Sequence, residues 1–280
     1  MDTGINFTEE IHMASFSVVN NIGSVNAQSQ LYSTNIGLQK TLARLSSGLR
    51  INSSGDDAAG LAVANKFRSD VAILNVGVRN ANDGLSKLQI ADGALNNISN
   101  LLDRAAVLAT QSASGAFSGD RTVLDNEFQA VLSEIDREAN IGSLNSATSY
   151  SVYISNDGTN GTVAVSFGIA TSSALGVTAS TVNITDTASA QAAITSISGA
   201  ITSLGTVQGA VGSAQNRLQF AISIAQSQIV NKTAAESRIR DANIAEESAN
   251  LTRYNILTQS GLAALAQANQ TTASVLSLLR

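Results

Sequence analysis

The sequence predicts a mainly α-helical protein: long coiled-coil or bundle arms from both chain ends, with a small β-hairpin-containing insert in the middle. Three observations carry this prediction. Apolar residues recur at alternating three- and four-residue spacing near the start of the chain, over 67–102, and again over 194–229. That is the period of a helix burying a narrow stripe against other helices. Around 150–169 the period changes to two, as in half-buried strands. Of 280 residues, 44% are apolar but only 4% aromatic, with no Trp and no Pro. Aliphatic seams, rather than aromatic side chains, must therefore organise the core.

In chain order, "MDTGINFTEEIH" is acidic and lacks an apolar core, so it does not read as a secretory signal peptide. Residues 1–12 read as a leader or extension upstream of Met13. Leu31, Leu38, Leu42, Leu45 and Leu49 then fit a and d positions of one heptad frame, with Asn35 at the intervening a position. Asn52-Ser53-Ser54-Gly55 forms a loop cluster. Ser54 followed by Asp57 has the spacing of a helix cap. Asp56 and Asp57 would then occupy the first turn of the next helix, where carboxylates suit the dipole.

That next helix carries Phe67, Val71, Leu74, Val78, Ala81, Leu85 and Leu88, continued by Leu95 and Leu102. Gly77 and Gly84 sit beside the stripe, each at about 1 kcal/mol relative to Ala. They are either merely tolerated there or mark the close approach of a neighbouring backbone. In the insert, 145–186, Tyr150, Val152 and Ile154 alternate on one side, followed by Val163, Val165, Phe167 and Ile169. Asn156-Asp157-Gly158 and Asn160-Gly161 supply turn residues. A Thr/Val-rich stretch at about 177–185 is read as a further strand.

The second arm places Ile194, Ile197, Ile201, Leu204, Val211, Leu218, Ile222, Ala225 and Ile229 in one frame. Gln208 and Gln215 take polar a positions, either fixing register or marking an exposed stretch. A last helical tract, about 236–279, ends in "ASVLSLLR", an apolar tail that a monomer would struggle to bury. Two helical ends most simply meet in one bundle.

Chemistry-bearing patterns are missing from this sequence. The net charge is −5, without a Lys/Arg block, which disfavours nucleic acid. No apolar run reaches the length of a membrane span. There is no Cys, and the only His, His12, lies in the leader, so neither a Ser-His-acid triad nor an HExxH zinc site can form. Asp56-Asp57 and Glu246-Glu247 are sequence neighbours, and such pairs do not face each other on a helix; helix-terminus or surface roles are expected. "GVGSAQN" and "GDDAAG" lack the Lys of a phosphate loop. No enzyme activity, metal or cofactor is expected. What remains is surface for packing, with polar faces rich in Asn, Gln, Ser and Thr that suit contact with copies of the same chain.

Two long segments carry a family resemblance. "LARLSSGLRINSSGDDAAGLAVANKFRSDV" and "ESRIRDANIAEESANLTRYNILTQSGLAALAQANQTTASVLSLLR" resemble the terminal regions of bacterial flagellin, and "RNANDGLSKLQIADGALNNISNLLDRAAVLATQSASG" is similar to its next segment. The resemblance covers about 14–145 and 187–280. It implies a structural subunit that is secreted and polymerises into the extracellular flagellar filament for motility. Residues 13–56 plus 236–280 would form inner-tube terminal helices, 57–144 plus 187–235 a rod-like helical domain, and 145–186 a short variable β insert.

The implied partners are other copies of the chain, an export chaperone at the C-terminal region, filament cap and junction proteins, and a Toll-like innate immune receptor. Assembly seams are expected at Leu38, Leu42, Leu45 and Leu49 and at Val275, Leu276, Leu278 and Leu279. The receptor pattern maps onto Arg104, Leu108 and Glu127. Two departures stand out: "RAAVLA" replaces a more charged stretch, and Thr271-Thr272 occupy a segment that often holds a proline. The alternatives are a hook–filament junction protein with the same helical ends, or a surface adhesin or glycan-binding module using the hairpin.

Overall fold

The computed structural model describes residues 20–278, with side chains described for all of these except Thr159 and 272–278. The expected leader 1–12, Met13 and Leu279 lie outside the described residues, as do the side chains of Val275, Leu276 and Leu278. In order, the elements are α1 (Ile22–Ser47), α2 (Ala58–Ala113), α3 (Arg121–Ile141), β1 (Thr148–Tyr153), a 3-10 turn (Gly158–Gly161), β2 (Thr162–Phe167), α4 (Thr187–Arg240) and α5 (Ile244–Leu278). The chain divides into two compact units. One combines the residues up to Ala64 with those from Glu236 onward, and the other is Asn65–Ala235.

Within Asn65–Ala235, α2, α3, α4, the hairpin and the loop after it share one core. On α2 one heptad column is Leu74, Ala81, Leu88, Leu95, Leu102 and Ala109, all buried, as the apolar spacing predicts. The second column differs from the expected Val71, Val78 and Leu85. It runs one residue earlier, through Asp70, Gly77, Gly84, Ala91, Ile98 and Ala105, while Val71, Val78 and Leu85 are only half-buried. The same offset occurs on α4. Ile197, Leu204, Val211, Leu218 and Ala225 are buried, partnered by Ala193, Ala200, Val207 and Ala214. Ile194 and Ile222 flank the seam, and Ile201 is exposed. Gln208 and Gln215 are therefore not core positions; Gln215 reaches the Leu88 carbonyl at 3.5 Å from the side.

The glycines of that inner column explain the offset. A Cβ on Gly77 would lie 1.9 Å from the Ile154 carbonyl oxygen, and one on Gly84 would lie 3.0 Å from Val152 Cγ2. The hairpin is thus laid directly against α2, and the close-approach alternative is the one the structure adopts. The two strands are antiparallel with Tyr150 opposite Val165 and Val152 opposite Val163. One face of the hairpin puts Val152, Val165 and Phe167, with Ile154 just beyond β1, into the core. The Tyr150 hydroxyl donates to the Gly84 carbonyl at 3.3 Å, and Asn80 Nδ2 donates to the Tyr153 carbonyl at 3.2 Å.

The expected strand at 177–185 is not formed; the sheet has two strands. That segment is a loop, with Val177, Val182 and Ile184 buried. Its backbone groups find side chains instead of a ladder. Asp125 Oδ1 accepts from Ile184 N at 2.8 Å, Gln129 Nε2 donates to the Val182 carbonyl at 3.0 Å, and Ser112 Oγ donates to the Ile184 carbonyl at 2.6 Å. Buried backbone polar groups need some partner, and side chains of α2 and α3 suffice here. The turn between α2 and α3 is closed by Asp120, which caps α3 by accepting from Thr122 N at 2.9 Å. Arg121 ties the turn back through the Ser112 and Ser114 carbonyls, at 3.1 Å each.

Candidate assembly surface

The terminal unit pairs α1 with α5 in antiparallel fashion. Neighbours run from Gly23 with Ala268, through Leu31 with Gly261 and Gly37 with Tyr254, to Arg44 with Glu247. Large side chains face glycines in alternation. A Cβ on Gly37 would lie 2.6 Å from the Tyr254 ring, and one on Gly261 would lie 2.7 Å from Leu31 Cδ1. Such complementarity lets the two backbones approach closely and sets which residues meet. Asn21 closes the open end: its Oδ1 caps α1 by accepting from Ser24 N at 3.0 Å, and its Nδ2 donates to the Ala268 carbonyl at 2.9 Å.

The seam on α1 consists of Leu31, Leu38 and Leu45 in one column and Thr34 and Thr41 in the other. Thr41 is 4% exposed while Leu42 is 49% exposed. Of the expected seam residues, then, Leu38 and Leu45 face α5, and Leu42 does not. Leu49 lies beyond the helix, in an antiparallel bridge with Asp241. Near that end Arg44 Nη1 meets Glu247 Oε1 at 2.9 Å, with the Glu247 side chain largely buried. A buried carboxylate left without its partner is costly, so this pair constrains where α5 can sit. Sequence adjacency had suggested a surface or helix-end role for Glu246-Glu247. Both lie in the first turn of α5, as expected of helix-terminus carboxylates; Glu246 is exposed, and Glu247 turns into the seam.

The α1–α2 connector belongs to the same unit. Gly48, at φ +71°, ends α1 in the left-handed conformation, and its N–H donates to the Arg44 carbonyl at 2.8 Å. Arg50 N donates to the Arg240 carbonyl at 2.6 Å, and Ala242 N donates to the Gly48 carbonyl at 2.9 Å. The two aspartates divide the remaining work. Asp57 Oδ1 accepts from Gly60 N at 2.8 Å, so Asp57, not Ser54, is the cap of α2. Asp56 lies before the helix. Its Oδ2 accepts from Asn52 N and Ser53 N at 3.2 Å each, and Oδ1 meets Lys40 Nζ at 2.8 Å. The Lys40 hydrogen bond, helped by the Asn52 N–H, lowers the Asp56 carboxyl to about 2.

The outer side of α1 carries Ile22, Val25, Tyr32 and Ile36, all exposed, with Tyr32 at 69%. At 100° per residue these four fall on the face opposite the seam. Exposed Ile244, Ile256, Leu257 and Leu262 add apolar surface to α5. A helix with one face packed and a second apolar stripe on its back can accept another helix.

In the other unit the receptor-pattern residues separate. Arg104 and Glu127 form an ion pair across α2 and α3, Arg104 Nε reaching Glu127 Oε1 at 3.1 Å, and both side chains are about half exposed. Leu108 is 1% exposed, in the core. A partner on this face would meet Arg104 and Glu127 with exposed Val107 and Val123, not the Leu108 side chain. Among the described residues no three acidic, His or Cys side chains are grouped to hold a metal ion. No helix among them is long and apolar enough to cross a membrane.

Comparison with known proteins adds an independent line. The family model for the bacterial flagellin N-terminal helical region matches residues 18–150, and that for the bacterial flagellin C-terminal helical region matches 194–279. The flagellar filament 33 kDa core protein of Treponema phagedenis is 38% identical, covering 93% of this chain and 98% of that protein. A flagellin of Halalkalibacterium halodurans is 38% identical over 86% of this chain and 92% of its own length. A crystal structure of Bacillus cereus flagellin aligns with a TM-score of 0.45 at 30% identity, covering 56% of this chain and 94% of that one.

Proposed function

The chain belongs to the bacterial flagellin family, and from that premise we propose that it is a structural subunit of a flagellar filament. The observation that carries this reading is the two-faced terminal pair. The inner seam of α1 is satisfied by α5, yet the opposite face of α1 still presents Ile22, Val25, Tyr32 and Ile36 to solvent. Fully burying an aliphatic side chain of this kind is worth roughly 1.5–3 kcal/mol, so a second copy covering this face would gain from its burial. Heterologous contacts that do not close into a ring generate a helical polymer. In this reading 13–56 with 236–280 line the inner tube, 57–144 with 187–235 form the surrounding rod, and 145–186 is a minimal outer insert. Leu42, exposed beside the α1–α5 seam, belongs to the assembly surface, as do Val275, Leu276, Leu278 and Leu279 of the tail.

The role is mechanical and not enzymatic, and the working location is outside the cell after secretion. An export chaperone at the C-terminal region and the cap and junction proteins of the filament are the proposed partners. A Toll-like receptor is a further proposed partner, at the Arg104–Glu127 face. The junction-protein and adhesin alternatives lack support, since the relatives found are flagellins and filament core proteins. The test is sedimentation and negative-stain electron microscopy of the full chain, beside a 57–235 fragment and a full-length Y32D/I36D variant. Filaments from the full chain alone support the proposal. An intact chain that stays monomeric even with preformed filament seeds overturns it, and a variant that polymerises as well as the parent refutes the assignment of this face of α1 to assembly.

A further inference from the structure

The seam between α2 and α4 is aliphatic or small over most of its length, and one point in it is charged. Asp70, 7% exposed, occupies the inner column of α2 one heptad before Gly77. Its Oδ2 meets Lys232 Nζ of α4 at 2.5 Å, and its Oδ1 accepts from Asn156 Nδ2 of the hairpin tip at 3.1 Å. Three elements therefore converge on one carboxylate. Lys232 is partly exposed beside a recess of about 260 Å³ formed with Asn156, Asp157 and Gln228. Its ammonium thus keeps water on one side, while the carboxylate relies on protein partners. The Lys232 hydrogen bond, ahead of that from Asn156, holds the Asp70 carboxyl below its usual range.

The aliphatic columns alone do not distinguish one pairing from its neighbours, because Leu204, Val211 and Leu218 repeat every seven residues opposite a similar series on α2. Sliding α4 by one heptad would set Ala225 or Ile239 against Asp70. That would leave a buried carboxylate unpaired, an arrangement the protein interior strongly disfavours. The hairpin is held close to the same place. The Ile154 carbonyl rests on Gly77, two residues before Asn156 reaches Asp70.

We infer that Asp70 is a positioning residue that couples the hairpin to the helix pair: the tip is seated through Asn156 only while Asp70 is held by Lys232. The hairpin tip then depends on a residue of α4 that it does not hydrogen-bond. The coupling is a property of the single chain, and the test uses the full-length chain as a monomer in solution.

The measurement is amide hydrogen exchange at Ile154 and Ser155, both of which donate to the Gly161 carbonyl, at 2.7 and 3.1 Å. N156A should speed exchange there by about tenfold, as expected for losing one hydrogen bond to a charged group, while mid-α2 protection stays unchanged. D70N and K232M should produce the same acceleration, although neither residue lies in the hairpin. The exchanged pair D70K/K232D should recover protection, because the Asn156 amide can turn its oxygen toward the ammonium. Unchanged exchange at Ile154 and Ser155 in K232M or N156A overturns the inference. Should D70N fail to fold, the exchanged pair decides: recovered protection supports the coupling, and continued loss refutes it.

Discussion

Replacing Gly77 with Ala tests the packing of the hairpin on α2 most directly. In an unobstructed helix interior the change is favourable by about 0.5–1 kcal/mol. Here the new methyl would lie 1.9 Å from the Ile154 carbonyl oxygen and 2.6 Å from Ile154 C and Cα. Nothing closer than 3.0 Å is normal for a Cβ, so about 1 Å of movement is required. The obstacle is backbone and cannot rotate aside. Either the hairpin lifts, partly exposing Val152, Ile154 and Val165, or α2 absorbs the overpacking at a cost of about 1–3 kcal/mol. Partial exposure of those three side chains costs a similar amount at about 25 cal/mol per Å². After the helical gain is subtracted, Gly77→Ala should destabilise by about 1–2 kcal/mol. That corresponds to roughly 2–8 °C in Tm for a domain of this size. Gly93 has nothing within 4 Å of its would-be Cβ, so Gly93→Ala should be stabilising. Gly84→Ala, whose methyl would meet side-chain ends, Val152 Cγ2 at 3.0 Å and Leu218 Cδ1 at 3.4 Å, should fall between. Thermal and urea unfolding of the three full-length variants gives the order. A Gly77→Ala protein as stable as Gly93→Ala would refute the account.

Three other outcomes are expected. Asp56 is held at about 2 against an ordinary 3.8, so its contribution is complete above pH 4 and lost as pH falls from there toward 2. D56N should abolish that acid-window loss, read from α1 amide exchange across the pH range. The difference should shrink in high salt because Lys40 is half exposed. Leu108→Ala should cost about 2–5 kcal/mol in unfolding experiments, whereas Arg104→Ala should change stability by at most about 1 kcal/mol because its ion pair is surface-exposed; equal costs would contradict the placement of Leu108. Gly37→Ala should weaken the α1–α5 pair by crowding Tyr254, raising the protein concentration needed for polymerisation in a sedimentation assay. Unaltered assembly would mean the ring has room to turn away.

The period of each helix was legible in the sequence. The Leu74–Leu102 and Ile197–Ala225 columns are buried rows in the structure, and Leu31, Leu38 and Leu45 form a half-buried row on α1. So were both inward faces of the hairpin, because alternation over Tyr150–Ile154 and Val163–Phe167 has one physical meaning in a strand pair. The flagellin resemblance rested on long segments at opposite chain ends, and family comparison agrees with it.

What the tertiary structure decided was the second column of the seams on α1, α2 and α4. There the larger apolar residues, Leu42, Val78 and Ile194 among them, suggest one position, and the structure uses the position before it. Thr41, Gly77 and Ala193 fill it. Hydrophobicity ranks side chains by transfer free energy and therefore favours the large ones. Close approach of two backbones, or of a hairpin to a helix, instead requires small ones, and only the neighbour's position reveals which rule applies. The same limit hid the cap at Asp57, the clamp at Asp56 and the burial of Glu247 and Leu108. Sequence alone determined which local periods this chain could adopt. The partners of each face, and hence which charges are paired and which apolar residues are left exposed, were settled by packing between segments as much as 247 residues apart.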